Sequence, residues 1–271
     1  MAGQACPVGV GRALSLVGRA AGDVGRLVLP VECPGCGLAD EAFCAACAAL
    51  LAGPPVRCEE AVPRLDRVDG SPPPPVWAVV PYAGPVRGVV VAWKDRGRAD
   101  LTRPLVAALV RAGSDLAPAL RDVATWGGLA LVPVPTTHAA RRRRGADLVR
   151  LLADGLARGL GAAGVPADVA PVLRRRRRRD QVGLGARSRG RNAAGSVTVR
   201  GGGQVRRVVL LVDDVVTTGS TLAACRAALE RAGALVVGAV VLAATPAPSA
   251  SSASSALSVA ARPGDVAPGA R

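Results

Sequence analysis

Four short, continuously aliphatic runs stand out along the chain: "VWAVVPY" from Val76, "LALVPVP" from Leu129, "RVVLLVDD" from Arg207 and "ALVVGAVVLA" from Ala234. Each is too short and too evenly apolar for a surface helix, and each reads as a strand buried on both faces. Between the second and third, Leu148, Leu151, Leu152 and Leu156 recur at helical spacing, with Arg150, Asp154 and Arg158 on the opposite side. After the third, Leu222, Cys225 and Leu229 form another such stripe, with Gly233 as its expected stop. Strand and helix in alternation predict an α/β fold, a parallel sheet with helices on both faces.

Two low-complexity stretches interrupt this pattern, "DGSPPPPV" at residues 69–76 and an Ala/Ser/Pro tail from Ala244 onward. Such composition buries too little to offset chain entropy. The chain therefore divides into an N-terminal amphipathic segment (1–26), a small cysteine module (27–57), a Pro-rich linker (58–75), a central domain (76–244) and a disordered tail (245–271).

Composition narrows the classes. At 271 residues and 50% hydrophobic content the chain is not wholly disordered, and with five aromatics (Phe43, Trp77, Tyr82, Trp93, Trp126) its core must be aliphatic. The net charge of +15, from 35 basic against 20 acidic residues, suits a polyanionic partner: nucleic acid, a diphosphate metabolite or a membrane surface. Equally, it is what a solvated Arg-rich composition produces. The sequence contains no uninterrupted apolar run of membrane-spanning length. Arg12, Arg19, Asp23 and Arg26 break the N-terminal segment, leaving no signal-peptide core, so a cytoplasmic location is expected.

The chemistry concentrates in "VVLLVDDVVTTGST", Val208 to Thr221. In an open parallel sheet, ligands gather at the carboxyl ends of strands, and Asp213 and Asp214 are expected to mark where this strand emerges. Thr217, Thr218, Gly219, Ser220 and Thr221 then lead into the Leu222 helix. Hydroxyls and unpaired N–H groups at a helix start suit a phosphate, with Gly219 allowing close approach of the backbone. A ribose 5-phosphate reconciles acids with an anion loop: carboxylates take the 2- and 3-hydroxyls and the loop takes the phosphate. The bland alternative is an ordinary helix cap beside solvated acids.

Seven cysteines, an odd number, favour metal binding in a reducing compartment over a disulfide framework. Cys33, Cys36, Cys44 and Cys47 form C-x2-C-x7-C-x2-C, the spacing of a structural zinc site, with a redox or Fe–S centre as the alternative. So little apolar sequence lies nearby that the module is not expected to fold without metal. Cys6, Cys58 and Cys225 look unrelated to it.

Taken in order, "CPGCG", "FCAAC", "YAGPVRGVVVAWKDRGR", "LVPVP" followed by an Arg cluster and Gly145, "LRRRRRRDQVGLGARSRGRN" and "VDDVVTTGSTL" resemble the ComF family. These are type I phosphoribosyltransferase-fold proteins headed by a zinc ribbon. The resemblance implies phosphoribosyl diphosphate with Mg2+ as the donor and zinc in the cysteine module. It implies donor contacts from Asp213, Asp214, Val215, Val216, Thr217, Thr218, Gly219, Ser220 and Thr221, with the acid pair catalytic. It extends them to the loop Pro133, Val134 and Pro135, and to Lys94, Arg98, Arg144, Gln181, Arg189 and Asn192. A mobile basic segment would close over the diphosphate. Catalysis would rest on positioning, metal-assisted departure of diphosphate and exclusion of water, with no covalent nucleophile. The sequence departs from the family where Ala146, Asp147 and Leu148 replace an aromatic, Asn and Gln, and where Val197 replaces an aromatic.

The runs Arg141 to Arg144 and Arg174 to Arg179 admit three readings: diphosphate clamps, a track for a nucleic-acid backbone, or solvated loops. Aromatics to stack bases are absent nearby. Three functions follow. One is a phosphoribosyltransferase with an unidentified acceptor. The second is an accessory protein of competence machinery or single-stranded DNA processing, and the third a non-catalytic sensor of phosphoribosyl diphosphate.

Overall fold

The computed structural model describes residues 31–65, 72–125, 128–137, 142, 144–175, 197–205 and 207–246. The N-terminal segment, His138, Arg141, Arg143, Arg176 to Arg179, Gln181, Arg189, Asn192 and the tail from residue 247 lie outside the described residues.

The strands are β1 (Val56–Arg57), β2 (Val76–Pro81), β3 (Leu129–Pro133), β4 (Ala167–Val169), β5 (Leu173–Arg175), β6 (Val197–Val199), β7 (Val208–Val216) and β8 (Leu235–Ala244). The α-helices are α1 (Ala45–Ala49), α2 (Gly84–Asp95), α3 (Thr102–Ala124), α4 (Leu148–Ala162) and α5 (Ser220–Arg231). One sheet runs in the order β1-β2-β8-β7-β3-β4, and β5 with β6 forms a separate antiparallel pair. The pairings among β2, β8, β7, β3 and β4 are parallel, while β1 joins the edge antiparallel.

All four aliphatic runs are strands of this sheet, and their lack of alternation has a direct cause. Leu129, Leu131, Leu210, Val212, Val240 and Leu242 face one core with α2, α3 and α4. Ala130, Val132, Val209, Leu211 and Val241 face the other, with α5. Both faces are covered, so both parities must be apolar. The stripes hold as expected: Leu148, Leu152 and Leu156 of α4 are buried, as are Leu222, Cys225 and Leu229 of α5. The two unforeseen helices show the same periodicity once located. Val86, Val89, Val90 and Trp93 are the buried face of α2; Leu105, Ala108, Leu109, Ala112, Leu116 and Leu120 that of α3.

Two expectations change. The expected linker over 58–75 is part of the folded core at its start, because residues 59–61 and 63–65 form 3-10 turns that bury Val62 and Leu65. The Glu59 carboxylate pairs with Arg57 and accepts the Val76 N–H at 2.7 Å, tying this segment to β2. Second, β7 does not end at the acids. It continues through them to Val216, because β8 still pairs with it at Val215 and Val216.

Candidate functional site

The parallel pairing brings the carboxyl ends of β3 and β7 side by side: Pro133 lies in register with Val212, and Val134 donates its N–H to the Val212 carbonyl at 2.8 Å. The loop Pro133, Val134 and Pro135 thus starts beside Asp213 and Asp214, at the edge where such sheets bind ligands.

Both acids are buried, Asp213 at 8% and Asp214 at 6% exposure. A buried carboxylate needs partners. Asp213 accepts the Asp214 N–H at 2.8 Å, and Asp214 accepts the Val215 N–H at 2.7 Å. Lys94, at the last turn of α2, places its Nζ 2.9 Å from each carboxylate oxygen of Asp214. The ammonium is thus spent on both oxygens of one carboxylate, and Asp213 feels only its charge. Burial, reinforced by the neighbouring Asp214 charge, holds the Asp213 carboxyl well above the usual carboxylate range; Lys94 offsets this only in part.

Beyond Val216 the chain turns through exposed Thr217 and Thr218 into α5, and Thr218 Oγ1 donates to Ser220 Oγ at 3.4 Å. Gly219 is the N-cap of α5, and no side chain caps the helix. Its first N–H groups, with the positive end of the helix dipole, are disposed to take an anion. Gly219 sits in the left-handed region at φ 76°, and a Cβ built there would lie 2.9 Å from the Val62 Cβ. Arg64 also donates its N–H to the Thr218 carbonyl at 3.2 Å. The loop leading into α5 is thus shaped from behind by the segment expected to be a linker.

The other predicted site residues divide. Lys94 joins the acid pair. Arg144 turns its guanidinium to the Lys94 carbonyl at 2.5 Å and Asp95 at 3.3 Å, so it holds the end of α2. Arg98 forks onto Asp100 at 2.9 and 2.8 Å and reaches the Glu32 and Ala42 carbonyls at 3.4 and 2.7 Å, away from the acids and onto the cysteine module. Gln181, Arg189 and Asn192 lie outside the described residues. Arg175, read from the sequence only as one member of the run Arg174 to Arg179, donates its Nε to the Pro135 carbonyl at 3.1 Å. Its charge also bears on Cys225, whose thiol is pushed up to about 12 by burial and by Asp213.

The four cysteines converge. Their Sγ atoms all lie within 4.8 Å of one another, and those of Cys36 and Cys44 are 3.5 Å apart. Zn–S bonds of about 2.3 Å in a tetrahedron place sulfurs ~3.8 Å apart, so this donor set fits zinc. The first pair forms a tight turn, with the Gly37 N–H on the Cys33 carbonyl at 2.8 Å, and Cys44 caps α1, accepting the Cys47 N–H. Cys33, Cys44 and Cys47 are buried and Cys36 is exposed. Cys225 is a core residue of α5, as expected.

No helix among the described residues is long and apolar enough to cross a membrane. Comparison with curated proteins gave no match. Residues 143–265 match the family model described as phosphoribosyl transferase domain, which takes in Asp213, Asp214 and the Thr217 to Thr221 loop and supports a type I phosphoribosyltransferase fold for the core.

Proposed function

We propose that this protein binds phosphoribosyl diphosphate with Mg2+ and transfers the phosphoribosyl group to an acceptor. The observation that carries this reading is one continuous unit: two buried, adjacent carboxyl groups on β7, followed at once by an uncapped helix N-terminus. A sugar with vicinal hydroxyls and a phosphate matches both ends.

In this reading Asp213 and Asp214 accept the ribose 2- and 3-hydroxyls, and the Thr217 to Thr221 loop holds the 5-phosphate. Lys94 fixes the Asp214 carboxylate by both oxygens and offsets acidic charge that would repel the donor. The loop Pro133, Val134 and Pro135 faces the diphosphate, braced by Arg175. In the transfer, the bond from C1 to the diphosphate oxygen breaks, its electron pair leaving with diphosphate, and the acceptor supplies the pair for the new bond. Mg2+ would enter with the donor's oxygens and neutralise the departing diphosphate.

Calorimetric titration of phosphoribosyl diphosphate with Mg2+ tests the assignment. Wild type should bind, and the Asp213→Asn, Asp214→Asn double variant should lose affinity. Equal affinity in both, or none in wild type, overturns it. Diphosphate release over a panel of bases separates transferase from sensor. A cytoplasmic location accords with six free cysteines among the described residues, four of them set for a metal. Nucleic-acid handling and competence partners rest on the net charge of +15 and on arginine runs. Most of those arginines lie outside the described residues, and no site geometry favours this reading.

A further inference from the structure

Helix α2 is shared by the two centres of this molecule. Its Lys94 reaches Asp214, while its outer face carries Gly88, which lies against the first cysteine turn. A Cβ built on Gly88 would fall 2.2 Å from the Pro34 carbonyl oxygen and 3.5 Å from the Gly35 Cα, so backbone meets backbone here with no room for a side chain. From Gly35, the same construction comes within 3.2 Å of Val89 and 2.6 Å of the Cys47 Sγ. The turn between Cys33 and Cys36 is thus wedged between α2 and a metal-ligating sulfur. Just past α2, Arg98 bridges both halves of the module through the Glu32 and Ala42 carbonyls. On the other side, Arg111 of α3 donates to the Leu51 carbonyl at 2.8 Å.

We propose that the four-cysteine module is the positioning element for Lys94, so that metal occupancy at Cys33, Cys36, Cys44 and Cys47 sets the affinity of the Asp213–Asp214 site for its sugar-phosphate donor. The inference rests on the donor reading above. The physical chain is short. The thiolates hold the turn, the turn's backbone packs on Gly88, and α2 delivers the ammonium to Asp214. Without metal, the buried cluster of Cys33, Cys44 and Cys47 has Phe43 as its packed apolar neighbour, too little to keep the turn in place. The inner face of α2 remains anchored by Val86, Val90 and Trp93, so the expected effect is graded. Coupling between sites of this kind is typically at least about fivefold in affinity, and it is reciprocal.

The test uses the full chain with zinc bound. Phosphoribosyl diphosphate with Mg2+ is titrated by calorimetry before and after treatment with a zinc-selective chelator that leaves Mg2+ in place, with thermal denaturation as a check on folding. Gly88→Ala and Arg98→Ala disturb the contact without touching a thiolate. Both should retain one zinc per chain and bind the donor at least about fivefold more weakly. In a Lys94→Ala background, Gly88→Ala should add nothing further, because the residue that carries the effect is gone. By reciprocity, donor with Mg2+ should tighten zinc retention by the same factor, read as slower release to the chelator. Undiminished donor affinity in zinc-depleted protein and in both contact variants overturns the coupling and leaves the donor reading intact. A loss from Gly88→Ala that persists undiminished without Lys94 overturns the route through α2. Failure of the wild type to bind donor overturns the donor reading itself, and the coupling with it.

Discussion

Replacing Gly219 with Ala tests how the loop proposed to hold the phosphate is built, because the structure opposes a side chain there for two separable reasons. The residue is left-handed at φ 76°, and a Cβ in that conformation costs about 1–2 kcal/mol. The same Cβ would sit 2.9 Å from that of Val62, which is fully buried under the loop. Forcing an extra carbon into such packing costs about 1–3 kcal/mol. Gly219→Ala should therefore destabilise the protein by roughly 2–5 kcal/mol, a large share of the ~5–15 kcal/mol that holds a domain together. Val62→Gly separates the two terms. It removes the opposing Cβ and by itself should cost about 3–4 kcal/mol in lost burial and backbone entropy. In that background Gly219→Ala should cost only the conformational ~1–2 kcal/mol. Urea denaturation of the zinc-loaded single and double variants, closed as a double-mutant cycle, reads the difference. Equal cost in both backgrounds refutes the contact with Val62. A cost below ~0.5 kcal/mol in wild type, the range of ordinary surface substitutions, refutes both terms. Donor affinity should fall as well, since the start of α5 cannot keep its place.

Asp213→Asn should stabilise the protein increasingly as pH rises. The raised carboxyl keeps its proton in the folded chain while the unfolded chain loses it above about pH 3.9, so wild-type stability falls by about 1.4 kcal/mol per pH unit until the folded group ionises. Parallel pH–stability profiles for the two proteins would refute this, and the variant should lose donor affinity whatever its stability. Lys94→Ala should weaken donor binding by about tenfold or more, one charge-assisted contact's worth; unchanged affinity would remove Lys94 from the site. Cobalt in place of zinc should give the strong visible absorption of a tetrahedral thiolate site at one metal per chain. Cys36→Ser should reduce that absorption, while Cys58→Ser should leave it unchanged. Glu59→Ala should loosen the segment behind the anion loop, costing about 1–3 kcal/mol for the Val76 N–H left unpaired, read by hydrogen exchange at Val76.

Local sequence determined a good deal of this molecule. Continuous aliphatic runs can satisfy themselves only where both faces are covered, so β2, β3, β7 and β8 and their parallel arrangement were legible from the pattern of apolar runs, while their order in the sheet, β2-β8-β7-β3, was not. The stripes of α4 and α5 and the cysteine spacing were equally plain, because helical periodicity and metal geometry act over a few residues. The acid pair and the loop up to Thr221 were readable for the same reason, being contiguous. What tertiary structure decided lies in contacts between distant residues. Val62 is buried beneath Gly219 because the sheet edge and α5 leave a space for it, which no property of residues 58–65 announces. Lys94 meets Asp214 from 120 residues away, whereas Arg98 and Arg144, of similar chemistry and closer in sequence to that aspartate, are claimed by Asp100, Asp95 and backbone carbonyls. Charge and spacing offer many cations to one carboxylate, and only the packing of α2 against the cysteine turn and the core selects which of them arrives.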